Sequence, residues 1–437
     1  MDSNLTPDPA IVKAVERLDY RVTVGDVAAQ AGLDVNLAER GLLVLASAAG
    51  GQLQVAESGE VVYLFSKDFQ DVLRNKFFQL QVKEWLDRVW RAVFYLIRIS
   101  FGIVLMLLIA MAIVAVILLA LAANSSRGDR DDDGGGISMP NMGFPNFFWI
   151  FYRNYYDRYD QPSPSRRSQG ASSDINFLEA VFSFLFGDGN PNANLEEHRW
   201  QSIATVIRNS RGAVIAEQVA PFLDGVGIGY DQEYEQYMLP VLARFNGRPE
   251  VSPDGQIVYH FPDLQTTVIE PRRKSVSDYL QEYRYVFSRA SRGQIVAAAA
   301  LGGLLLALGI VLNVWLSGGI ALIGTADTFV RVIAVLSVGY SIAYLSIPVI
   351  RNFWIGRRNR KISDRNGERQ QRARLLEQAD PTIVQKLAYA QQFAAETVIG
   401  DEDLIYTTER DLTDQESDRA AQIDAEWQKR LDSEGHR

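Results

Sequence analysis

A chain of 437 residues with net charge −9 and no cysteine is long enough for several modules. Disulfides, thiolate zinc sites, thiol catalysis and cysteine-ligated iron–sulfur clusters are excluded, because each needs a thiol. A general nucleic-acid binder is disfavoured, because displacing counterions from phosphates takes surplus positive charge.

The acidic, polar opening has no apolar run behind a basic start, so no signal peptide is expected. Residues 1–70 read as a first soluble module: helix 9–18, strand 20–22, helices 24–31 and 36–48, then a hairpin 53–65 turning at Ala56-Glu-Ser-Gly59. Residues 71–123 hold an amphipathic helix and the first membrane span. The span covers 92–123, and its core 102–123 carries no charge. A helix needs about 20 apolar residues to cross about 30 Å of hydrocarbon, and apolarity all around a helix suits lipid. Arg74, Lys76, Lys83, Arg88, Arg91 and Arg98 precede it, which assigns the N-terminal side to the cytoplasm.

Residues 124–173 are a Gly/Asp-rich linker followed by an aromatic stretch around Trp149, mixed with Arg153 and Arg158. Such rings stack single-stranded bases or form a belt at headgroup depth; the acidic balance favours the belt or a protein contact. Residues 174–265 read as a second module: helix 195–209, strand 213–215, helices 216–223 and 232–245, hairpin 249–261 around Pro253-Asp-Gly255. It repeats the first. Val22, Val27 and Ala28 match Val214, Val219 and Ala220 at an offset of 192. Leu43, Val55, Gly59, Val62, Tyr63 and Phe65 match Leu239, Val251, Gly255, Val258, Tyr259 and Phe261 at 196. The slip falls in the loop holding Gly225 and Gly229, where an insertion costs little. Helix–strand–helix–helix–hairpin is the winged-helix order. The third helices offer one arginine each, Arg40 and Arg244, where base and phosphate contacts need several polar donors. Nucleic acid is therefore disfavoured and protein docking favoured, with Arg40, Tyr63, Arg244, Tyr259 and Trp149 as candidate contact residues.

A connecting helix is expected over 266–294, then a membrane hairpin over 295–350 with spans 295–316 and 329–350. The link between these spans has no Lys or Arg, while Arg284, Arg289 and Arg292 on one flank and Arg351, Arg357, Arg358, Arg360 and Lys361 on the other face the cytoplasm. Three crossings would put the two termini on opposite sides. Either a segment between the first and second spans returns through the membrane, with 144–159 and 177–186 aromatic enough to enter the interface, or the first block does not cross. Residues 351–437 form a charged helical region: a helix from Pro381, capped by Asp380, to 394, a strand 404–407 and a helix 413–431. Its acids Glu396, Asp401, Glu402, Asp403, Glu409 and Asp411 read as a solvated face, not a magnesium site, which needs fixed octahedral geometry.

No Walker A loop, nucleophile elbow, zinc-protease or kinase signature is present. The three histidines, His198, His260 and His436, have no ligand spacing. No cofactor is expected. A transporter shows an ionisable pathway at mid-membrane; Asn313 and Tyr340 within the spans are too little to make one.

The stretches Gly59-Glu-Val-Val-Tyr-Leu-Phe65, Val181-Phe-Ser-Phe-Leu-Phe-Gly-Asp-Gly189 and Leu404-Ile-Tyr-Thr-Thr-Glu-Arg-Asp-Leu412 resemble a family of conserved membrane proteins of cyanobacteria and chloroplasts. Plant members carry an iron–sulfur cluster biosynthesis label; this chain has no thiol to ligate such a cluster. The resemblance implies a thylakoid or plasma-membrane location. The fold expected is α+β: a polytopic helical membrane protein of about three spans, with two winged-helix-like modules and a helical C-terminal region. The expected function is a non-enzymatic membrane-anchored scaffold or assembly factor whose partners are the bilayer and proteins of a membrane complex, photosynthetic in the family's setting. The alternatives are a transporter, channel or its regulatory subunit, and then a membrane-tethered DNA-binding regulator. A homo-oligomer is left open, because three spans make a thin bundle.

Overall fold

The computed structural model describes residues 7–76, 78–125, 176–226, 234–268, 273–319, 322, 324–378 and 380–434. The chain is mixed helix and strand, mostly helical, and divides into two compact units. One comprises Met1–Trp85, Asn192–Tyr283 and Lys361–Arg437; the other comprises Leu86–Pro191 and Arg284–Arg360.

The first unit opens with α1 (Pro9–Arg17), capped by Asp8 and burying Ile11, Ala14 and Val15. Strand β1 (Arg21–Thr23) leads into α2 (Val24–Ala31). The Thr23 hydroxyl accepts from Asp26 N, and the Asp26 carboxylate accepts from Thr23 N, at 3.1 Å each. This reciprocal cap satisfies two otherwise orphaned donors. α3 (Val35–Ala49) ends at Gly50 in the left-handed region, where a missing Cβ removes the penalty. β2 (Gln52–Ala56) and β3 (Val61–Leu64) form the hairpin, followed by α4 (Phe69–Lys76).

The same order recurs as α7 (Leu195–Asn209), β4 (Ala213–Val214), α8 (Ala216–Val219), α9 (Leu239–Phe245), β5 (Arg248–Val251) and β6 (Ile257–His260). The duplication read from the sequence holds at the level of hydrogen bonds. Val22 faces Tyr63 and Val214 faces Tyr259. Gln52 to Val55 face Leu64 to Val61, and Arg248 to Val251 face His260 to Ile257, with no slip from the 196 offset. Phe65 N donates to Tyr20 O at 2.9 Å and Phe261 N to Gly212 O at 2.8 Å. A Cβ on Gly51 would lie 2.6 Å from the Phe65 ring, and one on Gly247 2.3 Å from the Phe261 ring.

The second copy is less regular. The helix expected over 216–223 is one turn, α8, followed by a 3-10 turn at Ala220–Phe222, because Pro221 cannot donate into a continued helix. The third helix was expected from 232; it begins as a 3-10 turn, Gln236–Met238, and becomes regular at Leu239, with Pro240 in its first turn. The two copies share one core, in which Val27, Leu42 and Phe65 of the first sit with Ile207, Phe245 and Phe261 of the second. Gly25 permits a close approach to the Asp263 carbonyl.

C-terminal segments extend the sheet of the first copy and form a separate two-stranded sheet, while the β4-β6-β5 sheet of the second copy gains no strand. β9 (Leu404–Thr407) pairs antiparallel with β2, giving the order β1-β3-β2-β9. β8 (Thr397–Val398) runs parallel to β7 (Thr266–Thr267). α12 (Pro381–Ala390), ending in a 3-10 turn to Phe393 and not continuing to 394, packs Ile383 and Leu387 against Ile215 and Val258. α13 (Leu412–Glu434) ends the described chain.

The connecting helix expected over 266–294 is not formed. Residues 273–291 contain no helix. Two asparagine amides each bond both backbone groups of one residue in this stretch: Asn192 holds Tyr283 at 2.7 and 2.8 Å, and Asn366 holds Glu282 at 3.0 and 2.8 Å. The buried backbone is satisfied without a helix. In the second unit Asn359 does the same for Tyr285, at 2.8 and 2.9 Å.

The second unit is built on α5 (Phe78–Ser125), α6 (Phe177–Phe186), α10 (Arg292–Ser317) and α11 (Thr325–Glu377), α5 beginning and α11 ending outside it. Three of these helices, α5, α10 and α11, are long and apolar enough to cross a membrane. About a third of each apolar window is buried (33%), which leaves the larger share exposed. Gly302 packs against Tyr344, and Gly309 against Ser337 and Val338. Such small residues let helix backbones approach closely where no hydrophobic force drives association. Tyr340 donates to Phe101 O at 3.2 Å and Asn313 to Gly309 O at 2.8 Å, so both polar groups noted in the spans serve backbone carbonyls. α6 is apolar but ten residues long, about 15 Å by helical rise and half a hydrocarbon thickness. It packs Phe182 and Phe186 on Phe101 of α5. Arg98 lies 3.8 Å from Asp188, Arg289 N donates to Asp188 at 2.7 Å, and Arg351 donates to Ser183 O at 3.0 Å. The start of the first span, the start of the second and the end of the third therefore lie at one end of this unit.

Candidate functional site

Of the four expected contact residues that are described, Arg40 alone presents a free surface, on α3 between Leu37 and Leu43, each 48% exposed. Tyr63 and Tyr259 are core residues at 2% and 3% exposure and offer nothing to a partner. A ring at an inward-facing strand position packs, and the strand pattern cannot announce what its hydroxyl meets. Burial, then the Glu39 charge, raises the Tyr63 pKa. Burial and Glu235, whose carboxylate accepts from the Tyr259 hydroxyl at 2.8 Å, raise that of Tyr259. The Arg244 guanidinium lies 4.1 Å from the Trp200 ring centre and donates to Gly32 O at 2.5 Å, so it ties the two copies together. Trp149 lies outside the described residues.

Sequence reasoning missed two ionic assemblies. In the first, Arg369 of α11, 1% exposed, donates to Asp224 at 2.6 Å and to Leu280 O at 2.9 Å and pairs with Glu282 at 2.9 Å. Arg365 grips both Glu282 oxygens, at 2.8 and 2.5 Å. Burial alone would raise the pKa of both acids, but hydrogen bonds from Arg369 and Arg365 and the arginine charges outweigh it and lower them. In the second, Lys386 of α12 bridges Glu217 at 2.8 Å and Glu235 at 2.7 Å. Burial opposes its charge, yet the two carboxylates hold its pKa above the ordinary lysine value. Glu235 is 8% exposed with φ of 49°, a left-handed backbone that a residue with a Cβ rarely adopts. The signal available in the sequence was charge on helix faces, which usually means solvent.

A crevice of about 730 Å³ opens in the first unit. At its floor, Asp26 is wholly buried and accepts from Arg208 at 2.6 Å and from the Thr267 hydroxyl at 2.7 Å. Arg211, Arg273 and Lys274 line it, with Glu396 opposing them. Burial, then the Arg208 charge, lowers the Lys274 pKa. The acids expected to form a solvated face have local duties: Asp401 pairs with Arg21 at 3.1 Å, and Asp411 caps α13 through Thr413 N. Among the described residues no three of His, Asp and Glu gather to hold a metal ion.

The chain thus combines a mixed helix-and-strand unit with three helices long and apolar enough to cross a membrane. The chain is 36% identical over 421 residues to an uncharacterized chloroplastic protein of Arabidopsis thaliana, covering 92% of this chain and 79% of that protein, and it belongs to the same family. No family model and no solved structure matches.

Proposed function

We propose that the chain is a non-enzymatic membrane-anchored scaffold or assembly factor that binds proteins of a membrane complex through two winged-helix-like modules. The observation that carries this reading is a pair of duplication-matched leucines. Leu43 on α3 is 48% exposed and Leu239 on α9 is 61% exposed. In a winged helix this third helix is the contacting element. A helix face that keeps a large apolar side chain in water in both copies, with few cations beside it, suits a protein surface better than phosphate. The chloroplastic relative supports a thylakoid membrane as the location. The basic flanks of the candidate spans support a mainly cytoplasmic side for the soluble modules.

The test is affinity purification of the tagged full chain from mildly solubilised native membranes, beside a Leu43→Asp/Leu239→Asp variant. Subunits of one membrane complex should co-purify in stoichiometric amounts with the wild type and be lost from the variant. Recovery of the same proteins with both, or of the chain alone, overturns the reading, and recovery alone moves transport to the front.

A further inference from the structure

We propose that the crevice of the first unit binds a small phosphate-bearing anion with a hydroxylated body, of sugar-phosphate or inositol-phosphate chemistry. Its volume, about 730 Å³, lies in the range of small-molecule sites. Its charge runs against the chain. Four cations, Arg208, Arg211, Arg273 and Lys274, face two acids, Asp26 and Glu396, in a protein of net charge −9. Arg208 is engaged by Asp26 at 2.6 Å. Among the described residues no carboxylate pairs with Arg211, Arg273 or Lys274. Lys274 is held below the ordinary lysine pKa by burial first and then by the Arg208 charge, with Asp26 opposing both.

Two of these cations stand on fixed backbone. Asn209 bonds both Lys274 N and Lys274 O, at 3.2 and 2.9 Å. Arg211 O accepts from Gln265 at 3.1 Å and from Ala395 N at 3.1 Å. The arginine fork matches phosphate oxygens two at a time. The duplication supplies a control: Arg211 occupies the same left-handed turn as Asp19 of the first copy, with φ of 55° and 62°. The turn belongs to the repeat, and the positive charge does not. The remaining lining is amide, hydroxyl and small aliphatic, with no aromatic ring among the described residues. That suits a hydroxylated body and gives a nucleobase nothing to stack on.

The experiment is calorimetric titration of the full chain in phosphatidylcholine nanodiscs with fructose 1,6-bisphosphate, and of an Arg211→Gln/Arg273→Gln variant. Both side chains are exposed, so the thermal midpoint should not move. The expected result is saturable binding to the wild type, weakened about tenfold or more in the variant. A second arm adds a phosphatidylinositol phosphate to the nanodiscs. Loss of bisphosphate binding there assigns the site to a lipid headgroup; unchanged binding assigns it to a soluble ligand. No binding in the first arm together with no selective retention of the phosphoinositide, or equal binding by the variant, overturns the proposal. The outcome is independent of the scaffold test, whose substitutions lie on α3 and α9.

Discussion

In the first copy of the repeat, Tyr63 packs in the core while the nearby Glu39 stays exposed on α3. In the second, the matched Tyr259 donates to the matched Glu235, which is buried and neutralised by Lys386 from the C-terminal region. Backbone register is common to both copies, down to the paired amides of Phe65 and Phe261; the polar core is not. The first copy is closed by a reciprocal cap, a continuous α3 and an added strand, β9. The second has a broken helix and a one-turn helix, and charged side chains of α11 and α12 stand in for the missing regular structure. An apolar repeat can thus keep its geometry while one copy becomes dependent on a distant segment of the chain.

The largest expected effect tests that dependence directly. Arg369→Ala removes a cation at 1% exposure from between Asp224 and Glu282. Asp224 keeps Arg199 and Glu282 keeps Arg365, so the cost is that of the charged hydrogen bonds Arg369 itself makes, about 3 kcal/mol together. Hydrogen exchange of the purified chain should accelerate in the β5–β6 hairpin by about two orders of magnitude, at about 1.4 kcal/mol per tenfold. The β2–β3 hairpin should change far less. Equal acceleration in both would mean that the shared core, not the ionic contacts, sets the stability of the second copy.

The two copies were not equally legible in the sequence. Matched Val22/Val214, Tyr63/Tyr259 and Gly59/Gly255 were enough to align the hairpins, and the register agrees without a slip. The three apolar blocks were readable by length alone, because hydrocarbon thickness sets a simple rule. The strand at Leu404–Thr407 was visible, but its pairing with β2, about 350 residues away in sequence, was not, since alternation names no partner. The extended stretch 273–291 read as helical because its backbone partners are the side chains of Asn192, Asn359 and Asn366, which no local pattern reveals. The crevice was invisible for the same reason: its cations come from α7, the turn before β4 and the segment after β7.

A smaller effect, with a sign that depends on pH, comes from Lys386. Its pKa is raised in the folded chain, so its contribution is fully present below the ordinary lysine pKa and is lost as pH rises through the raised value. Asp224 and Glu282 are lowered. Their contribution is present above the ordinary carboxylate range and is lost as pH falls through the depressed values. The second copy should therefore loosen at both extremes. Lys386→Met should remove the alkaline transition of the β5–β6 amides and leave the acid one. At neutral pH it should cost about 2–3 kcal/mol by leaving Glu217 and Glu235 unpaired, and adding Glu235→Gln should recover part of that loss. An alkaline transition that survives in Lys386→Met would assign it to another group.

The smallest effect asks where the two copies should behave alike. Gly51 N donates to Ala46 O at 2.8 Å and Gly247 N to Leu242 O at 2.9 Å, and each glycine lies under the edge of a matched phenylalanine ring. A methyl group at either position must displace that ring, and overpacking of this kind costs about 1–3 kcal/mol. Gly51→Ala and Gly247→Ala should therefore lower the stability of their own hairpins by similar amounts, read as local hydrogen exchange. Both rings are well buried, Phe65 at 4% and Phe261 at 0% exposure, so neither can escape into solvent. A large cost in the first copy with none in the second would mean that the second core is loose enough to yield. It would then be held in shape by its arginine and lysine contacts alone, with its apolar packing contributing little.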